Sequence, residues 1–127
     1  MQTPSDLPEV VSRLAAVFEP RCNDVTTLSE LKSMAGDPAL WKGAHDLFQR
    51  IRQKALRVER QNDKPAAAQY CFEEVCAKTL YNLSGSPAPF DADSPEWIVP
   101  NALALAKVLA VPEVAVRAAI AGRGAGA

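Results

Sequence analysis

The chain is poor in the side chains that most often build reactive centres. Among its 127 residues there is one histidine, His45, and there are three cysteines, Cys22, Cys71 and Cys76. No C-x-x-C, H-E-x-x-H or E-x-x-H spacing occurs, which argues against structural zinc and against a di-iron carboxylate centre. The run Asp91 to Ser94 begins like a calcium loop, but Glu96 stands where the loop glycine belongs and Ala102 where the closing glutamate belongs. A glycine-rich phosphate loop is also missing. An odd cysteine count argues against a complete disulfide framework. Cys71 and Cys76, five residues apart on one helix, point ~140° apart. All three are read as buried free thiols behaving as small hydrophobes.

Charge of one sign is lacking too. The formal net charge is −1, so no global field draws the chain to nucleic acid or anionic lipid. Long apolar runs are absent: the longest, Ala102 to Val111, is interrupted by Lys107, and nothing of that length spans a bilayer. Met1 to Asp6 are polar and carry neither the basic nor the apolar region of a secretory leader. These absences lead to the expectation of a cytoplasmic protein with no membrane association. Sustained period-two alternation of β-branched residues is missing as well, so no sheet is expected.

What the chain does have is helix punctuation. With 48% apolar and 23% charged residues it has the composition of a folded domain, and its length suits one core. Ser5 is placed to cap a first helix ending near Phe18, with Leu7, Val10, Val11, Leu14 and Phe18 on one face. Residues 19–26 read as a turn. Thr27 and Glu30 have capping-box spacing ahead of Leu28, Leu31 and Met34, and Gly36 suits a left-handed C-cap. Asp37-Pro38 opens what should be the longest helix, to about Arg60, with Leu40, Ala44, Leu47, Ile51, Ala55 and Val58 as its stripe. Pro65 opens the next, to about Leu83, burying Ala68, Phe72, Val75, Cys76, Thr79 and Leu83. Pro100 should divide residues 95–110 into a short turn and a separate or kinked helix. Pro112 starts a last helix ending near Gly122. The expected architecture is an all-α compact bundle of five to six helices, one domain over residues 1–122, with 123–127 a frayed tail.

Three stretches carry candidate function. Residues 84–93, S-G-S-P-A-P-F-D-A-D, form the one extended irregular segment. Tyr81 precedes it, Phe90 lies within it and Trp97 follows it, with Asp91, Asp93 and Glu96 supplying acid. Aromatics ringed by acids are what a protein-binding patch looks like, and a long loop in a small domain is often functional. The same residues also fit a plug at one end of the bundle. The second stretch is the outer face of the long helix. From Trp41 to Lys64 seven basic residues stand against three acidic ones, and Lys42, Arg50, Lys54, Arg57, Arg60 and Lys64 fall within about 120° of one another. Such a face could contact phosphates, and Arg50 and Arg57 are its candidate partner contacts; the alternative is an ordinary solvated face.

The third stretch is Leu105 to Gly122, L-A-K-V-L-A-V-P-E-V-A-V-R-A-A-I-A-G. It resembles the helix-turn-helix of small repressors through Ala106 in the first helix and Val111 and Val116 around the start of the second, with Ala110 where that family has a glycine. The resemblance implies a reading helix exposing Glu113, Val114, Ala115, Arg117 and Ala118, in which Arg117, helped by Lys107, would contact DNA.

These features favour a non-enzymatic protein-interaction module whose partner is another protein, bound through the acidic-aromatic loop, the basic helix face, or both. In size and class the chain is similar to the small helical adaptor and immunity proteins of bacteria. A DNA-associated regulator is the first alternative. A small-molecule site or enzyme within the bundle, lined by Glu73, Tyr70 or a cysteine, is the second. No catalytic residue, cofactor or metal ligand is assigned.

Overall fold

Heptad-like apolar spacing between capping residues produces helices, and a computed structural model of the chain contains nothing else that is regular among the residues it describes, 7–87, 89–90 and 94–122. The expected Ser5 cap, Asp91, Asp93 and the expected frayed tail lie outside those residues. Six α-helices follow in order: α1 (Leu7–Phe18), α2 (Thr26–Ala35), α3 (Ala44–Gln61), α4 (Lys64–Leu83), α5 (Ser94–Leu109) and α6 (Glu113–Ala121). Two 3-10 helices, Glu19–Arg21 and Pro38–Gly43, precede α2 and α3.

The helices form one compact bundle with α4 at its centre. It packs most extensively on α3 and α5 and also touches α1 and α2, while α1 lies against α2 and α6. Leu14, Phe18, Leu28, Leu31, Leu47, Ile51, Phe72, Leu80, Ile98 and Leu105 are sealed from solvent. Phe18 meets Phe72 edge-to-face, their centroids 5.3 Å apart, the arrangement that ring quadrupoles favour. Arg13 crosses from α1 to donate through Nε to the Ala119 carbonyl at 2.6 Å, so the first and last helices are tied.

Several boundaries differ from expectation for local reasons. Thr27 is not a cap. The chain enters α2 two residues earlier, with Val25 at the N-cap position and Asp24 Oδ1 accepting from the Thr26 N–H at 3.1 Å, and Thr27 is buried inside the helix. Gly36 has φ −83° and is right-handed. Asp37 does cap, accepting from Ala39 N at 3.1 Å, but it opens the 3-10 segment. Three residues per turn rotate Leu40 out of the stripe, leaving it 47% exposed. α3 therefore has 18 residues, and α4, capped by Asp63 and begun with Pro65 in its first turn, has 20. Surrounded by other helices, α4 buries more than one stripe: Gln69, Tyr70, Glu73 and Ala77 join Phe72, Cys76 and Thr79, whereas Ala68, Val75 and Leu83 are only partly covered.

Pro100 does not divide α5. The helix runs unbroken from Ser94 to Leu109 with Pro100 inside it. A proline there leaves one carbonyl of the preceding turn without its amide. Pro100 lies on the solvent side, where water can take that place. Of the thiols, Cys76 is buried as expected, whereas Cys22 is half-buried and Cys71 exposed.

Candidate protein-docking surface and a buried polar cluster

The loop after α4 turns its aromatic residue inward. Gly85, at φ +80°, reverses the chain. Asn82 then holds Phe90 by both backbone groups, accepting from its N–H at 2.7 Å and donating to its carbonyl at 3.5 Å. The Phe90 ring stacks on His45 at 5.6 Å, lies 4.8 Å from Phe48 and meets Tyr81 edge-on at 5.4 Å. Lys78 Nζ sits 5.9 Å from the Phe90 centroid, close enough for a cation–π contribution. Phe90 is thus half-buried packing that closes one end of the bundle. Beside it lies an open hollow of about 480 Å³, bordered by Lys42, His45, Asp46, Tyr81 and Ser86.

Trp97 behaves differently. It is 55% exposed on the outer face of α5. Because α5 is continuous, helical spacing lines up Trp97, Pro100, Ala104 and Val108, all exposed, along one side, with the half-covered Asn101 between them. The stripe is roughly 17 Å long at 1.5 Å per residue. Glu96 and Lys107, both exposed, flank it along the same edge. A large aromatic at the end of an apolar helix face is the composition of an interface anchor.

The basic face of α3 is partly used within the molecule. Arg50 makes a bidentate pair with Glu30 of α2, through Nη1 at 2.8 Å and through Nη2, and this pairing holds the Glu30 carboxyl below its ordinary pKa. Lys54 pairs with Asp24 at 2.8 Å and Arg52 with Glu74 at 3.2 Å. Arg57 and Arg60 remain exposed and make no ion pair among the described residues.

Beneath α3, the segment before α2 meets α4 in a polar cluster. Asp24 accepts from Lys54 Nζ, from the Tyr70 hydroxyl at 2.6 Å and from Thr26 N. Gln69 Nε2 donates both to the Asp24 carbonyl and to Glu73 Oε2, each at 2.6 Å. Burial opposes charge on Asp24, but Lys54, Tyr70 and the Thr26 N–H outweigh it and hold the carboxyl well below the usual carboxylate range. Burial, reinforced by the Asp24 carboxylate, pushes the Tyr70 phenol well up.

Glu73 is the deepest member, with no exposed surface. Burial raises its pKa from 4.5 to about 7, helped by Asp24 and opposed by Thr27, Gln69 and Lys54. Its Oε1 and the Thr27 Oγ1 are both buried and lie outside hydrogen-bonding geometry, although the hydroxyl is near enough to favour the carboxylate. A cleft of about 200 Å³ opens near the cluster, bordered by Cys22, Asp24, Asp63, Gln69 and Tyr70 but not by Glu73. That is smaller than most small-molecule sites. Burial pushes the Cys22 thiol up to about 11 and Cys76 and Cys71 up as well, the reverse of what a nucleophile needs. No cluster of three metal-ligating side chains occurs among the described residues.

At α5–α6, Ala110 adopts φ +59°, the left-handed conformation that the glycine of a helix-turn-helix would take. The Val111 N–H donates back to the Ala106 carbonyl at 2.8 Å, and Leu105, Ala106, Val111, Val116 and Ala119 are buried. Outside, Val114 is 75% exposed, Lys107 is exposed, and the Arg117 Nε is drawn to Glu113 at 3.1 Å.

No helix among the described residues is long and apolar enough to cross a membrane. Compared with known proteins, the chain matches no family model, no curated protein and no solved structure.

Proposed function

We propose that the protein is a non-enzymatic interaction module that binds another protein through the outer face of α5, with Trp97 as its anchor. The observation that carries this reading is the exposure of Trp97 at the head of an apolar stripe on a continuous helix. Of the loop residues considered for contact, Phe90 serves the interior, while Glu96 and Trp97 stand outside. Arg50 is occupied by Glu30, which leaves Arg57 as the freer of the two basic candidates on α3. Three unpaired thiols of raised pKa suit a reducing, cytoplasmic setting. Adaptor or immunity roles of the bacterial kind fit a surface that binds without chemistry.

Trp97→Ala should change folding free energy by less than about 0.5 kcal/mol and weaken partner binding by at least about 30-fold. The check is affinity purification from native cells with both forms, alongside thermal unfolding. A partner retained at full strength by the alanine form ends this reading.

The left-handed Ala110 favours a second reading, a DNA-associated regulator that uses α6. That reading requires duplex binding that falls steeply with salt and disappears in Arg117→Ala. Absence of binding at low salt removes it.

A further inference from the structure

The geometry points to a second copy of this chain as the occupant of the α5 face, its own α5 laid antiparallel across the first about a two-fold axis level with residue 102. This rests on the docking reading above and names its partner.

The argument is the symmetry of the stripe. In an antiparallel pair related by a two-fold axis, residue i meets residue j and j meets i. Taking residue 102 as the centre brings Trp97 within one residue of level with Val108 of the copy, and Val108 within one residue of its Trp97. Pro100 falls against Ala104 in the same way, and Asn101 lies next to the axis. The middle of the contact is therefore made by small residues, which lets the helices approach closely, and each end by an indole over a valine. Both ends are exposed in the single chain, Trp97 at 55% and Val108 at 42%.

The charges repeat this register. Glu96 and Lys107 sit about 20° apart in helical projection, both on one edge of the stripe. A two-fold axis across the contact brings the same edges together, so Glu96 of each copy meets Lys107 of the other. Neither residue has an ion pair among the described residues, and both are exposed. A parallel two-fold pair would carry this edge to opposite sides of the contact, leaving Glu96 and Lys107 of each copy without each other. The sequence of this face is therefore complementary to its own reversal.

The test uses the purified full chain. Sedimentation should show a concentration-dependent dimer, and Trp97→Ala should dissociate it. Asn101→Cys, oxidised mildly, should give a disulfide between the two copies of position 101, mapped by mass spectrometry, while the exposed native Cys71 on α4 stays unlinked. Glu96→Lys should weaken dimerisation about tenfold, two surface pairs being replaced by two repulsions, and adding Lys107→Glu should restore it to within about threefold. A chain that stays monomeric at 1 mM overturns the self-pairing, as does a dimer that ignores both charge reversals and links elsewhere. The docking reading fails separately: it survives if the monomeric chain still takes a different protein from native cells in a Trp97-dependent way, and it falls if Trp97→Ala dimerises and binds as the wild type does.

Discussion

Replacing Glu73 by glutamine raises the stability of the fold at pH 7.5 by about 3 kcal/mol and leaves it nearly unchanged near pH 4.5. The sign follows from where the proton is held. Burial lifts the Glu73 pKa from 4.5 to about 7, so the folded chain keeps a proton that the unfolded chain gives up. Below pH 4.5 both states are protonated and the group costs nothing electrostatically. Between pH 4.5 and 7 stability falls by about 1.4 kcal/mol for each pH unit, and above 7 the full cost remains. Glutamine carries no charge at any of these pH values. Its carbonyl can accept from Gln69, as Glu73 Oε2 does now at 2.6 Å, and its amide can donate toward Thr27 Oγ1, which lacks a partner in good geometry. Urea unfolding of both forms at the two pH values is the check. Parallel stability curves across the interval would mean that Glu73 is solvated or paired in a way the fold does not indicate.

Asp24→Ala is expected to cost about 3 kcal/mol at neutral pH. One carboxylate accepts the Thr26 N–H at the entry to α2, receives Lys54 from α3 and accepts the Tyr70 hydroxyl from α4. Its removal loses the hydrogen bond to Thr26, about 1 kcal/mol, and leaves a part-buried phenol without its acceptor. The Lys54 pair adds little, because the Asp24 side chain is 34% exposed and solvent screens it. Asp24→Asn keeps one oxygen to accept from the Thr26 N–H, while its amide faces the Tyr70 hydroxyl, which can turn to accept instead, and should cost about 1 kcal/mol. Because the folded pKa of Asp24 is depressed, the advantage of the native residue is complete above its ordinary carboxyl range and fades as pH falls through the folded value. Denaturant titration of the two variants at pH 7 measures the difference; a loss below 1 kcal/mol for the alanine form would show that the three helices are not joined through this carboxylate.

The helices were legible because their cause is local. Leu47 and Ile51, four residues apart, and Phe72 and Cys76, also four apart, reach the core as their spacing requires, and Asp37-Pro38 marks a helical start even though that start is a 3-10 turn. Glu73 was harder. Its burial depends on α4 being enclosed by α1, α2, α3 and α5, which no single helix announces. A signal was nevertheless present: residues 69, 72, 73, 76 and 80 fall within one helical arc of about 100°, with Glu73 at its edge. The outer face of α5 was hidden by Pro100. Read as a break, that proline separates Trp97 from Ala104 and Val108; only an unbroken helix puts them on one side. The motif aligned Ala110 with the turn glycine of the repressors, and Ala110 is left-handed, a conformation that costs alanine roughly 1–2 kcal/mol more than glycine.

The sharing of Asp24 among three helices constrains how this protein can drift. Positions 24, 54 and 70 come from different parts of the chain but answer to one another, so a lineage that loses the acid should lose the lysine and the phenol with it, and a set of homologues should show these three sites changing in concert rather than singly. The solvent-facing Arg57 and Arg60, tied to no such arrangement, are free to vary alone.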